Sequence, residues 1–156
     1  MPTASERVAE ALRALGVTAE IREFPQSTRT AGEAAAAVGT TVGQIVKSLV
    51  FLAGDRPVLV LASGANRVDL AKLALACGVP SVRRASAEEV RRATGFAIGG
   101  VPPVGHATPL ATYLDRDLLL HDVVFASAGT PTAVFAIAPG RLQALTGAAA
   151  ADLAEA

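Results

Sequence analysis

The chain is poor in the residues that cross-link small proteins or that bind by charge. Its 156 residues include one cysteine, no tryptophan and two histidines, and its formal net charge is zero. A single cysteine excludes an intrachain disulfide framework, and one cysteine with two distant histidines gives no zinc-binding pattern. Zero net charge argues against a protein that holds nucleic acid mainly by charge, and we expect no role in DNA binding.

Long apolar runs are missing as well. No stretch reaches the ~18 uninterrupted apolar residues of a membrane span. The N-terminal segment MPTASERVAEALRALG carries acidic residues and does not resemble a signal peptide. We therefore expect a cytoplasmic protein without a membrane partner. The length fits a single domain over residues 1–156, and the 51% of hydrophobic residues suffice for a core.

The predicted elements alternate between helices and strands. The segment IVKSLVFLAGDRPVLVLASG has two β-rich runs around AGDRP and predicts a hairpin. Capping boxes at Thr30–Glu33 and Ser86–Glu89 predict two helix starts. We expect an α+β fold with a curled, mixed, mostly antiparallel sheet of about six or seven strands and helices packed outside. The alanine-rich end GAAAADLAEA is a candidate for fraying.

Lysine is rare in this chain, since Lys47 and Lys72 are the only lysines among 14 basic residues. Lys47 lies in the apolar run IVKSLVFL, where its ammonium must reach solvent, pair with an acid or line a cavity. Protection of an edge strand against aggregation would equally account for it. In a cavity, Lys47 would polarise a carbonyl or hold a phosphate or carboxylate.

Residues 94–106, TGFAIGGVPPVGH, combine glycines and prolines directly before His106. One interpretation is a structural loop between a helix and a strand. The other is a rigid platform whose amides approach a ligand and stabilise an oxyanion. His106 is then either a structural hydrogen-bonding residue or a donor or base. The small residues ASAGTP at 126–131 likewise fit a plain hairpin or a wall beside a ligand.

Several common kinds of site are excluded because their sequence motifs are absent. The chain has no GxxxxGK[ST] phosphate loop and no GxSxG nucleophile elbow, and GGVPPVG does not match GxGxxG. No pair of Asp or Glu residues stands out as an acid–base couple. We expect neither a metal nor a cofactor.

Six stretches in order resemble the YbaK/ProX family of trans-acting aminoacyl-tRNA deacylases, which are related to the editing domain of some prolyl-tRNA synthetases. They are TAGEAAAAVG, QIVKSLVF, VLVLASGANRVDLAKL, EEVRRATGFAIGGVPPVGH, SAGTP and LTGA. The resemblance runs from about Phe24 to about Asp152. It implies hydrolysis of a mischarged aminoacyl ester on tRNA, with the 3′ end of aminoacyl-tRNA as partner and a synthetase as a second candidate partner.

The resemblance also implies the site residues. The family's lysine matches Lys47, and the residues that match its two loops are Gly99, Gly100, Pro103 and Gly105, and Ser127, Ala128 and Gly129. Phe24 and Thr30 are candidates for the pocket wall, whereas the family varies at His106. Loop amides would stabilise the oxyanion while Lys47 holds the terminal nucleotide or polarises the carbonyl. The attacking water would be positioned by a backbone carbonyl or a free ribose hydroxyl.

Two other functions remain open from the residues. The same cavity would also suit a non-catalytic module that binds an aminoacyl-nucleotide-like ligand or a synthetase. A generic esterase is disfavoured, because no Ser–His–Asp set is visible. Four arginines are candidates for RNA contact, or for a solvated helix face beside Glu88 and Glu89: Arg83, Arg84, Arg91 and Arg92.

Overall fold

The structure is a computed structural model that describes residues 2–156. Its helices are α1 (Ala4–Ala14), α2 (Ala31–Val38), α3 (Leu70–Cys77), α4 (Ala87–Thr94) and α5 (Pro139–Thr146). Its strands are β1 (Ile21–Glu23), β2 (Ile45–Ala53), β3 (Arg56–Ser63), β4 (Val82–Arg84), β5 (Ala111–Asp115), β6 (Val124–Ser127), β7 (Ala133–Ile137) and β8 (Ala149–Ala151). Two 3₁₀ turns span Val42–Gln44 and Arg116–Leu120.

The predicted helix starts at Thr30 and Ser86 are confirmed. The Thr30 hydroxyl accepts a hydrogen bond from the Glu33 amide at 3.1 Å, and the Glu33 carboxylate accepts one from the Thr30 amide. Ser86 and Glu89 make the same reciprocal pair at the start of α4. Each box satisfies amides that the first helical turn leaves without partners, which explains why these short helices begin where they do.

The strands form one open sheet in the order β1-β7-β6-β2-β3-β5-β8, and β4 pairs with β2 beside this path. Pairs β1–β7, β7–β6, β2–β3 and β2–β4 are antiparallel, and β6–β2, β3–β5 and β5–β8 are parallel. The mixed α+β class is confirmed. The sheet has eight strands among residues 2–156 rather than six or seven, because β4 and β8 are three-residue strands without a recognisable alternation.

The alanine-rich C-terminus does not fray as expected. Residues 149–151 pair in parallel with β5, Leu153 is buried, and Ala154 bridges to Val68. Pairing satisfies the backbone groups of this segment, and Leu153 anchors it in the core formed with α3.

Helices cover both faces of the sheet. Alternate residues of β2 point to opposite faces, so that Val46 and Val50 pack into the core that receives α1, α4 and α5. Phe51 and Ala53 pack on the other face, together with Leu73 of α3. No helix within residues 2–156 is long and apolar enough to cross a membrane.

A branch in the sheet opens the site. Strand β3 runs along one side of β2 from Val46 to Ala53. On the opposite side, β6 pairs only with Ile45 and Val46, and β4 pairs only with residues 51–53. The segment of β2 that contains Lys47 and Ser48 therefore has no ladder partner on that side. This gap between β6 and β4 holds a cavity.

Candidate functional site

The cavity in the gap has a volume of about 270 Å³. It is bounded by β2, by the ends of β4 and β6, by the start of α2 and by the loop after α4. Apolar side chains make up much of its wall, among them Val46, Val50, Ala85, Val90, Val101, Ala126 and Val134. None of the Asp or Glu residues within residues 2–156 lines it. Its volume is near the lower end of small-molecule sites and suits a small group.

Lys47 lines this cavity from the middle of the sheet. Strand β2 is an inner strand of the sheet, but at Lys47 it is paired on one side only, so the side chain lies at an unpaired edge that the cavity occupies. The Lys47 ammonium donates to the backbone carbonyl of Asn66 at 2.5 Å and pairs with no carboxylate among the described residues. An ammonium has three donors, so two stay available for a ligand. Burial lowers the pKa of Lys47 most, Arg84 and Arg67 lower it further, and Asp115 opposes them.

Two arginines stand at the mouth of the cavity. Arg29 and Arg84 are exposed, line the cavity, and make no salt bridge within residues 2–156. Arg83 and Arg92 differ, since they form ion pairs of 2.9 Å with Glu89 and Glu88. The solvated-face interpretation thus fits Arg83 and Arg92, whereas Arg84 is free to meet an anion.

Three residues of the 94–106 loop line the cavity, Ile98, Gly99 and Val101, and Gly99 is the one among them that the sequence predicts as a site residue. Its φ of 88° lies in the left-handed region, and an added Cβ would lie 2.6 Å from the Arg29 Cγ. Any larger residue here would adopt a strained backbone conformation and would also displace the Arg29 side chain. No described residue accepts a hydrogen bond from the Gly99 amide, whereas the Gly100 amide already donates to Ala97.

The end of β6 lines the cavity with Phe125, Ala126 and Ser127, directly before the turn. The Ser127 hydroxyl accepts a hydrogen bond from the Gly129 amide at 3.2 Å. The Ala128 amide donates to the carbonyl of Ala133. Gly129 faces α1, because an added Cβ would lie 3.0 Å from the Ala4 carbonyl oxygen. The amides of Ala128 and Gly129 therefore hold the turn together.

The second half of the 94–106 loop packs away from the cavity. Pro103 is buried, and Gly105 lies against α1, where an added Cβ would be 3.3 Å from the Cβ of Ala11. His106 Nε2 is 2.7 Å from the carbonyl oxygen of Pro102. Burial lowers the pKa of His106 more than this hydrogen bond raises it. A neutral His106 that donates to Pro102 fits this geometry, and it closes the loop on itself.

The two residues expected at the pocket wall lie in different places. Thr30 lines the cavity while it caps α2. Phe24 is half-buried outside the cavity lining, with the guanidinium of Arg22 5.2 Å from its ring centroid and its amide bonded to Thr132. Of the predicted site residues, the structure thus brings four together at the cavity: Lys47, Gly99, Ser127 and Thr30.

Ser48 and Arg29 also line this cavity, although neither is predicted as a site residue from the sequence. The Ser48 hydroxyl is the one buried side-chain polar atom in the described part of the chain without a hydrogen-bond partner. The Val50 carbonyl faces β4, since it accepts from the Ala85 amide. Residues two apart in a strand direct their backbone groups to the same side. The Ser48 amide and carbonyl therefore face the gap between β6 and β4. In the sequence, the signal for Ser48 was its position next to Lys47.

Several known proteins are similar to this chain in sequence and in fold. The model of the aminoacyl-tRNA editing domain matches residues 25–145. YwhH of Bacillus subtilis is 34% identical over 79% of this chain and 78% of its own. EbsC of Enterococcus faecalis, named as a Cys-tRNA(Pro)/Cys-tRNA(Cys) deacylase, is 29% identical over 80% and 76%. A proline–tRNA ligase of Ligilactobacillus salivarius is 34% identical over 58% of this chain, which is 16% of that enzyme.

A solved structure is similar throughout. It is described as a trans-editing enzyme for prolyl-tRNA synthetase, and it is 54% identical with a TM-score of 0.94 over 100% of this chain and 99% of that one. The enzyme class expected from the sequence, an aminoacyl-tRNA deacylase, is thereby confirmed. With a family model over most of its length and a near-identical fold, the chain belongs to the aminoacyl-tRNA editing domain family.

Proposed function

We propose that the chain hydrolyses, in trans, the ester of a tRNA mischarged with a small amino acid, and that Lys47 is its central functional residue. The observation that carries this proposal is a lysine in a cavity that no carboxylate lines, with two free donors. An aminoacyl ester is already activated. Stabilisation of the oxyanion and placement of a water are therefore enough to speed its hydrolysis.

The contacts around the cavity support a division of roles. Lys47 meets the ester carbonyl or the terminal nucleotide, and the Gly99 amide is the loop amide best placed to donate to the oxyanion. Arg29 and Arg84 at the mouth meet phosphates of the 3′ end, because arginine matches phosphate oxygens with paired donors. The remaining predicted residues, among them Gly100, Gly129 and His106, support the walls.

The substrate is a tRNA that carries a small amino acid such as alanine, serine, threonine or cysteine, with tRNA(Pro) as the favoured tRNA. The small volume and the valine- and alanine-lined wall support a small side chain. The names of EbsC and of the similar solved structure point to Cys-tRNA(Pro) and to prolyl-tRNA synthetase. An apolar pocket separates side chains that differ by one methylene only about 10–200-fold, so a synthetase partner would add selectivity. Such a role belongs in the cytosol.

The test is a deacylation panel. Wild type, Lys47→Ala and the control Lys72→Ala are incubated with tRNA(Pro) charged with alanine, serine, threonine, cysteine or proline. We expect wild type and Lys72→Ala to remove one or two small amino acids and to spare Pro-tRNA(Pro). Lys47→Ala should hydrolyse none above the spontaneous rate. Full activity of Lys47→Ala would overturn the role of Lys47.

The cavity lining includes no carboxylate and no histidine, so the attacking water would be placed by a backbone carbonyl or by a ribose hydroxyl of the substrate. Tight binding of a non-hydrolysable aminoacyl-adenosine without turnover on any member of the panel would contradict the proposed hydrolysis. Hydrolysis of simple esters as fast as charged tRNA would instead indicate a generic esterase.

A further inference from the structure

A hydrogen-bond network lies behind Lys47, on the side away from the branch in the sheet. The Asn66 side-chain amide donates to Asp115 Oδ2 at 2.9 Å and to Asp117 Oδ2 at 2.8 Å. Asp115 is 1% exposed and also accepts from the amide of Ser63 at 3.1 Å. The backbone carbonyl of the same Asn66 accepts the hydrogen bond from the Lys47 ammonium.

The sheet brings these groups into one row. Lys47 pairs with Ala62 of β3, and Leu61 pairs with Leu114 of β5, so Asp115 lies one strand beyond Ala62. Strands two places apart are about 10 Å from each other. The long lysine side chain therefore reaches over the small Ala62 toward Asn66 and does not touch the carboxylate itself.

The loop that carries Asn66 is fixed on its other side too. The Gly64 amide donates to the carbonyl of Ile45 at 2.7 Å. An added Cβ at Gly64 would lie 2.5 Å from the Val42 carbonyl oxygen and 2.8 Å from the Cβ of Ala31. Ties to β5 on one side and close packing on the other leave the Asn66 carbonyl little freedom.

We infer that Asn66, held by Asp115 and Asp117, is the positioning residue for Lys47. This inference rests on the proposed function, in which Lys47 acts on the ester. The neutral backbone carbonyl of Asn66 accepts one hydrogen bond from the Lys47 ammonium and leaves its other two donors for the cavity. A carboxylate in the same place would instead neutralise the positive charge of Lys47. The buried charge of Asp115 acts from the far side of Asn66 and favours the charged lysine.

The network predicts two separable effects. Asn66→Ala frees the loop, and misplacement of a reacting group by about 1 Å costs up to about 100-fold in rate. We expect kcat to fall about 10- to 100-fold with KM within twofold. Asp117→Asn keeps an acceptor oxygen and should stay within twofold of wild type. Asp117→Ala, which loses one of the two ties, should fall between them and replaces Asn66→Ala if that variant fails to fold.

The second effect concerns the charge of Lys47. The charged groups around it are Arg84 of β4, Arg67 of the loop, Asp115 of β5, Arg29, which lines the same cavity from the segment before α2, and, through Asn66, Asp117. Asp115→Asn removes the one influence that raises the pKa of Lys47. The alkaline limb of the pH–rate profile should then move to lower pH, while the rate near pH 6 stays close to that of wild type.

The chain allows a direct measurement, because it has only two lysines. Lysine labelled with ¹³C at Cε gives two side-chain signals, which Lys72→Arg assigns. We expect the Lys47 signal to titrate at lower pH in Asp115→Asn than in wild type. Unchanged kcat in Asn66→Ala and an unchanged Lys47 titration in Asp115→Asn, alongside an inactive Lys47→Ala, would overturn the positioning role alone. Full activity of Lys47→Ala would overturn the role of Lys47 as well.

Discussion

The surroundings of the two lysines show how this fold distinguishes a structural cation from a functional one. Lys72, on α3, donates to Asp152 at 3.1 Å and to the Ala154 carbonyl at 2.6 Å, and it ties the C-terminal segment to the helix. Its hydrogen bond lowers the pKa of Asp152. Lys47 meets only a neutral carbonyl and shares its cavity with two arginines. A positive site without a carboxylate is prepared for an anionic or oxyanionic ligand.

The largest expected contrast comes from replacing each lysine by methionine, which removes the positive charge and keeps most of the side-chain volume. Lys47→Met should lower kcat/KM by about 100-fold or more, the scale of one lost electrostatic contact to a transition state. Lys72→Met should leave kcat/KM within twofold and lower the melting temperature slightly, because it frees the C-terminus. Single-turnover deacylation and thermal unfolding of both variants measure the contrast. Equal activity of the two would remove the distinction between the lysines.

The sequence was sufficient for the elements with strong local signals. The hairpin that carries Lys47 and the capped starts of α2 and α4 were predicted, because turn and capping residues act over three or four positions. The three-residue strands β4 and β8 were not, since their pairing partners lie far away in the chain. Tertiary pairing decides such short strands.

The same reasoning explains which parts of the site were found. Lys47 stood out as a charge in an apolar run, and Gly99 as part of an unusual loop. Asn66 and Asp115 are 49 residues apart and meet only because β3 and β5 pair in parallel. No local pattern signals that contact. Gly100 and Gly129 resembled Gly99 in sequence, but they serve to pack the loop and turn against their neighbours.

An intermediate effect is expected at the mouth of the cavity, where adjacent arginines form a matched pair. Arg84→Ala should lower kcat/KM about tenfold at low salt, and the loss should shrink as salt rises, because a phosphate contact is screened. Arg83→Ala should change kcat/KM less than twofold, since Arg83 is already paired with Glu89. Deacylation at several salt concentrations compares them. An equal loss in both variants would mean that both arginines of β4 contact RNA.

The smallest expected effect on activity is at His106, which tests whether the scaffold and the site are separate. His106→Gln keeps a donor for the Pro102 carbonyl, so deacylation at pH 7.5 should stay within twofold of wild type. Burial holds the folded-state pKa of His106 below its ordinary value of 6.5. Its contribution to stability is therefore complete above about pH 6.5 and is lost as the pH falls through the folded-state pKa.

Denaturant unfolding between pH 5 and pH 7.5 measures this contribution. Wild type should lose more of its free energy of unfolding toward acid pH than His106→Gln, which has no proton to take up. His106→Ala, which also loses the hydrogen bond, should be less stable than His106→Gln by about 1 kcal/mol at pH 7.5. A large fall in kcat at pH 7.5 for His106→Gln would place His106 with Lys47 in the chemistry. Unchanged kcat with the expected pH dependence would place it with Lys72, among the groups that hold the scaffold.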